Sequence, residues 1–101
     1  MDMMQGIKAI ANPTRLRVLE LLKDPAARQE LITSHGSVKG LTASALLQHL
    51  RISQPTLTEH MEILLNVGLV ESVRSGRWVV YTRDEERIRQ LKQTIIDQLL
   101  P

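Results

Sequence analysis

Apolar positions recur every three or four residues along most of the chain and give way to two short β-prone runs near its end. The pattern therefore predicts helices first and a β-hairpin second. Its most informative stretch is Leu41 to Val70, LTASALLQHLRISQPTLTEHMEILLNVGLV. Leu46, Leu47 and Leu50 share a helical face behind Thr42, a residue suited to the N-cap. Ile52 closes a tight turn and Ser53 stands at the next N-cap. Pro55 falls in the first turn of that second helix, where a missing N–H costs nothing, and Leu57, Met61, Leu64 and Leu65 form one apolar face. Gly68 ends the helix. Two helices joined by a turn of this length, over residues 41–67, form a helix-turn-helix unit, whose second helix can lie in a DNA major groove.

Upstream, a short helix is expected from Gly6 to Ala11, with Ile7 and Ile10 on one face, stopping before Asn12-Pro13 because the residue preceding proline avoids the α region. Asn12 then caps a second helix that places Leu16, Leu19 and Leu22 at core spacing and turns Arg15, Arg17 and Glu20 outward. Asp24-Pro25 ends it. The run PAARQELI, from Pro25 to Ile32, reads as two further helical turns, and Thr33-Ser34-His35-Gly36-Ser37 as a loop reaching Val38, Lys39 and Gly40. The interval GSVKG has two glycines and a lysine but not the GxxxxGK[ST] pattern, so a solvated loop is expected rather than a phosphate cradle.

Downstream, Leu69–Val73 and Trp78–Thr82 are β-prone runs separated by Arg74-Ser75-Gly76-Arg77, where Gly76 can supply the positive φ of a hairpin. A hairpin over residues 69–82 directly after a helix-turn-helix is the winged-helix arrangement. Asp84, Glu85 and Glu86 then place negative charge at the start of a last helix, where the dipole favours it. Ile88, Leu91, Ile95 and Leu99 repeat along that helix near heptad spacing. A terminal stripe of this kind has little left to pack on within one short chain. The expected interface is therefore a dimer through the end helices, residues 3–11 and 84–100, using Ile7, Ile10, Ile88, Leu91, Ile95 and Leu99. The fold class expected is mainly α with a β-hairpin wing, in one domain of 101 residues and as a symmetric dimer.

Composition narrows the chemistry. Apolar residues make up 43% and aromatics 2%, so the core must be aliphatic, which suits helices. The net charge of +2, from 13 basic and 11 acidic residues, names no polyanion partner by itself; only the distribution of charge can. There is no cysteine, which excludes disulfides and thiolate metal sites. The N-terminal residues lack a basic and apolar leader and no apolar run approaches membrane-spanning length, so a cytoplasmic protein is expected. No Ser/His/Asp constellation, HExxH or glycine-rich nucleotide loop points to an enzyme, and no cofactor is expected. The histidines at 35, 49 and 60 have no HxxxH or HxH spacing, so no metal site is expected from them.

Three segments resemble the ArsR/SmtB family of dimeric winged-helix transcriptional repressors: Ile7 to Leu22, IKAIANPTRLRVLELL, is similar to the family's opening LKALADPTRLRIL; Ile52 to Val70, ISQPTLTEHMEILLNVGLV, to its recognition segment; and Gly76 to Glu85, GRWVVYTRDE, to its wing strand and exit. The resemblance implies a repressor that binds double-stranded DNA as a homodimer. It also sets out departures. Where the family's best-known metal sensors carry Cys-x-Cys this chain has Thr42 and Ser44, and the last helix has no histidine to build the family's second type of site. The stretch from Pro25 to Gly40 is longer than the family's usual connection.

Within the recognition helix, burial of Leu57, Met61 and Leu64 turns Thr56, Glu59 and Glu62 outward, with Thr58 and His60 on the flanks. Gln54 and Thr56 are the expected base readers, since Gln pairs with adenine N6 and N7 and Thr offers a hydroxyl or a methyl. Ser53 and the helix N-terminus suit a phosphate. Glu59 can accept from cytosine N4, whereas carboxylates repel phosphate, so Glu59 and Glu62 suit a base contact or a solvated face. Basic charge for the backbone comes from Arg51, Arg74 and Arg77, with Arg15 and Lys39 as further candidates. A winged-helix interaction module that no longer binds DNA stays open beside this reading. The signal that releases the repressor is expected to be a non-metal ligand, a protein partner, or nothing at all.

Overall fold

In the computed structural model, which describes residues 2–33 and 36–100, nine elements follow one another: α1 (Met3–Ile10), α2 (Pro13–Lys23), β1 (Gln29–Thr33), β2 (Gly36–Thr42), α3 (Ala43–His49), α4 (Gln54–Asn66), β3 (Val70–Ser75), β4 (Trp78–Arg83) and α5 (Glu85–Leu99). Each helix begins on a side chain that satisfies one of its orphan N–H groups. Asp2, Asn12, Thr42, Ser53 and Asp84 accept from the backbone N–H of Met4, Arg15, Ala45, Thr56 and Arg87 respectively. The cap on Asp2 starts α1 three residues earlier than the sequence pattern suggested. Past the end of α4, the N–H groups of Gly68 and Leu69 return to the carbonyls of Leu65 and Leu64, which closes the helix and launches the wing.

Packing gathers the helices around an aliphatic core. Val18, Leu21, Leu41, Leu46, Leu57, Met61, Leu64, Leu69 and Val70 are all buried, and Leu91 joins them from α5. Within α2 the buried set is Val18, Leu19, Leu21 and Leu22, while Leu16, expected in the core, is 45% exposed. The true inward face of α2 is rotated toward Val18 and Leu21, because α2 packs on both α4 and β4.

The largest departure from expectation lies between Pro25 and Gly40. Instead of two helical turns and a loop, the chain makes a turn at Asp24, whose carboxylate accepts from Ala26 N–H, and then a β-hairpin. Strand β1 pairs antiparallel with β2 from Gln29↔Gly40 to Thr33↔Gly36, so GSVKG is strand rather than loop. Ser34 and His35, which the sequence placed in the loop, lie outside the described residues. Strand β2 continues onto the wing through Leu41↔Tyr81 and Thr42↔Val80, giving an antiparallel sheet in the order β1-β2-β4-β3. The helix formers in this run are overridden by pairing to a strand about forty residues downstream. Gly40 makes that pairing possible: a Cβ there would sit 2.2 Å from the Tyr81 carbonyl oxygen and 2.9 Å from Val80 Cγ1. Gly40→Ala is expected to push β2 off β4 and lower stability by about 1–3 kcal/mol, read as a fall in the urea midpoint at unchanged slope. An unchanged midpoint would show that this junction tolerates a side chain.

The wing itself is tighter than expected. Ser75 pairs with Trp78, so the turn is the two residues Gly76-Arg77, with Gly76 at φ +60° in the first central position. The buried Ser75 hydroxyl donates to the Ile32 carbonyl, tying the end of β3 to the β1–β2 hairpin. At the other end of the wing, Arg83 donates to the Leu19 carbonyl at 3.0 Å and pairs with Glu85, which fixes α5 against α2. A hydrogen bond from the neighbouring Arg89 holds the Glu86 carboxyl below the usual carboxylate range. Both acidic residues in the first turn of α5 thus have arginine partners while facing a favourable dipole.

Candidate nucleic-acid interface

The expected recognition element is α4, and its two faces divide cleanly. Leu57, Met61 and Leu64 are buried, whereas Gln54, Thr58, Glu59 and Glu62 are exposed. At its N-terminus the exposed Ser53 hydroxyl caps Thr56 N–H and donates to Thr56 Oγ1 at 2.9 Å, so these two expected contact residues form one local unit. The Thr58 hydroxyl donates back to the Gln54 carbonyl, leaving its methyl group and an acceptor lone pair for a ligand. Gln54 has no side-chain partner among the described residues. Arg51 is exposed in the turn preceding α4, and Arg74 and Arg77 are exposed toward the end of the wing. The Arg77 guanidinium lies 4.9 Å from the centroid of the Trp78 ring, a cation–π contact that stiffens the tip.

His60 is not on an open flank. Its Nδ1 lies 3.0 Å from Nη1 of Arg15, which also donates through Nε to the Ala9 carbonyl and through Nη2 to the Lys8 carbonyl. Arg15 was expected to face outward; instead its long side chain folds back over the C-terminus of α1 and reaches α4. An arginine has only donors, so this contact requires a neutral imidazole with Nδ1 as acceptor and the proton on Nε2. The helix pattern gave the direction of the Arg15 Cα–Cβ bond but not the reach of its guanidinium. Lys39 lies across the β1–β2 ladder from Glu30, away from the recognition helix in sequence and in its strand pairing.

The positions where family metal sensors carry thiolates do not fit a soft metal. The Thr42 hydroxyl caps α3 and Ser44 is exposed. On α5, Asp84 is the N-cap and Glu85 and Glu86 are paired to arginines. Among the described residues no group of three or more His, Cys, Asp or Glu side chains converges, and no helix is long and apolar enough to cross a membrane.

A family model described as a helix-turn-helix domain matches residues 37–73, the span from β2 through α3 and α4 into β3. The HTH-type transcriptional regulator YbzH of Bacillus subtilis (strain 168) is 32% identical over 95 residues, covering 90% of this chain and 92% of that one. The arsenical resistance operon repressor of Staphylococcus xylosus is 30% identical over 89 residues, covering 88% and 72%. The chain belongs to the ArsR/SmtB family. In three dimensions it is similar to the ArsR-like transcriptional regulator from Rhodococcus sp. RHA1, with a TM-score of 0.71 at 25% identity over 96% of this chain and 77% of that one. As an ArsR-family member the chain is a winged helix-turn-helix, DNA-binding transcriptional regulator. In this ArsR-family regulator the β1–β2 hairpin extends the wing sheet on the side away from β3.

Proposed function

We propose that this regulator acts in the cytoplasm as a homodimeric repressor, covering an inverted-repeat operator and releasing it in response to something other than a soft metal. The observation that carries the reading is the division of α4: an aliphatic face fixes the helix, and a polar face led by Gln54 is left uncovered, while Arg74 and Arg77 are exposed toward the end of the wing. In this reading Gln54 and Thr56 read bases, Ser53 and Arg51 take phosphates, Arg74 and Arg77 hold the backbone flanking the groove, and Thr58, Glu59 and His60 line the helix's contact edge.

Dimerisation is supported by an apolar groove of about 440 Å³, lined by Ile10, Leu16, Ile88, Ile95 and Ile96 among others. Leu91 is buried in the chain's own core, so the surface left for a second copy runs through Ile7, Ile10, Leu16, Ile88, Ile95, Ile96 and Leu99. A symmetric pair joined there would set two recognition helices about one DNA turn apart.

Arg77→Ala tests the wing's part. Binding to all duplexes is expected to weaken, and the slope of log affinity against log salt to fall by roughly one. An unchanged slope would take the wing tip out of the interface. The acidic pair Glu59 and Glu62 favours the second reading, a winged helix that binds protein; a salt-sensitive shift of an inverted-repeat duplex by the purified chain would dismiss it.

A further inference from the structure

A second groove lies apart from α4 and from the apolar groove of α1, α2 and α5. It encloses about 230 Å³ where the β1–β2 hairpin, α3 and β4 meet, and is lined by Gln29 and Leu31 of β1, Ser44 and Gln48 of α3, and the Trp78 ring. Every side chain lining it is uncharged. The side chains of Gln29, Ser44 and Gln48 find no hydrogen-bond partner among the described residues. Trp78, the single tryptophan of the chain, is 48% exposed, although tryptophans are on average well covered. Ser75, its partner across the wing, is by contrast buried and bonded to the hairpin, so this end of the sheet is held while about half of the Trp78 surface stays open beside the Arg77 guanidinium that lies over its ring.

We propose that this groove binds a small, uncharged, planar heteroaromatic molecule, stacked on Trp78 and hydrogen-bonded by the Gln29 and Gln48 carboxamides and the Ser44 hydroxyl. Each carboxamide offers donors and an acceptor in one plane, which matches the ring edge of a lactam or aminoheterocycle. The walls supply no charge to offset the desolvation of an ionised ligand. The volume lies below the range of about 300–1,000 Å³ typical of drug-sized pockets, which limits the occupant to one ring or a fused pair. Thr42 and Ser44, which stand where family sensors carry thiolates, both line this groove, so the neutral site uses the same corner of the fold for different chemistry. Its walls come from the helix-turn-helix and from the wing, so an occupant ties the two together; that consequence rests on the DNA-binding reading, whereas the binding itself does not.

The test titrates adenine, uracil and nicotinamide separately into the intact chain while the indole Nε1–H resonance of Trp78 is followed by NMR. At least one probe is expected to shift it saturably with a Kd on the order of 1 mM or below. Gln48→Ala should weaken that probe roughly three- to tenfold without changing the thermal midpoint, because Gln48 is exposed and unpartnered in the protein. Absence of a saturable shift with all three probes overturns the proposal, and so does a titration left unchanged by Gln48→Ala combined with Ser44→Ala. Operator affinity measured with the bound probe should differ by about fivefold or more, and an unchanged value would remove the tie to DNA binding. Because the resonance is read without DNA, failure of the operator reading leaves the binding result standing.

Discussion

Replacing Ile96 and Leu99 together by glutamate is expected to leave the chain folded but monomeric, and to weaken binding to a full operator on the order of 10²–10³-fold. Ile96 is 38% exposed and Leu99 72% exposed, so within one protomer the substitutions touch little, and surface changes of this kind stay within about 0.5 kcal/mol. Across a dimer interface the same positions would bury two carboxylates per chain against the mainly aliphatic lining of the groove between α1, α2 and α5, where Lys23 and Lys92 also stand but offset only part of the desolvation. Losing the dimer converts two linked half-site contacts into independent ones, which removes the gain from effective concentration. Sedimentation velocity gives the oligomeric state, circular dichroism the fold, and a duplex titration the affinity. A double variant that remains dimeric would place the interface elsewhere.

Arg15→Ala should be the most damaging single change outside the core, lowering stability by about 2–3 kcal/mol and operator affinity with it. The guanidinium joins three acceptors on two elements: the Ala9 carbonyl at the end of α1, the Lys8 carbonyl, which also accepts from Ala11 N–H at 3.3 Å, and Nδ1 of His60 on α4. Charge-assisted hydrogen bonds of this sort contribute about 1.5–3 kcal/mol each when taken alone, and partial exposure and water replacement reduce their sum. Arg15→Lys keeps the charge but is a point donor that cannot span the three acceptors, so it should recover only part of the loss. Chemical denaturation of both variants measures the stability, and a fully rescued midpoint in Arg15→Lys would show that charge, not the fork, is what the site requires. Restored stability with still-impaired DNA binding would locate the remaining defect at His60.

Features carried by local chemistry were legible in the sequence. Asn12, Thr42 and Ser53 are caps because an amide oxygen or hydroxyl at that place satisfies an orphan N–H whatever the rest of the chain does. Leu57, Met61 and Leu64 could be read as the buried face of α4, and Gly76 as a hairpin turn, on equally local grounds. Features set by remote partners were not legible. Strands β1 and β2 exist because Leu41 and Thr42 pair with Tyr81 and Val80, a contact no window around Pro25 to Gly40 contains. The exposure of Leu16 and the inward reach of Arg15 depend on which neighbours α2 meets, and on a side chain long enough to leave the face its Cα occupies. On α4, Glu59 and Glu62 are exposed as expected and Thr56 is half-buried, but the internal bonds of Ser53, Thr56, Thr58 and His60 emerged only from the geometry. One signal for the His60 contact was present: Arg15 follows the helix-opening Asn12-Pro13, at the N-terminal end of α2 where α1 has just ended.

The central claim is that two copies of α4 read a symmetric DNA sequence. Selection of bound duplexes from a random pool by the purified chain tests it directly, because one result reports binding, symmetry and readout together. Enrichment is expected of an inverted repeat whose half-site centres lie about 10–10.5 base pairs apart, with Gln54→Ala relaxing preference at one position of each half-site. Recovery of no enriched sequence, or of a single unrepeated site, would contradict it.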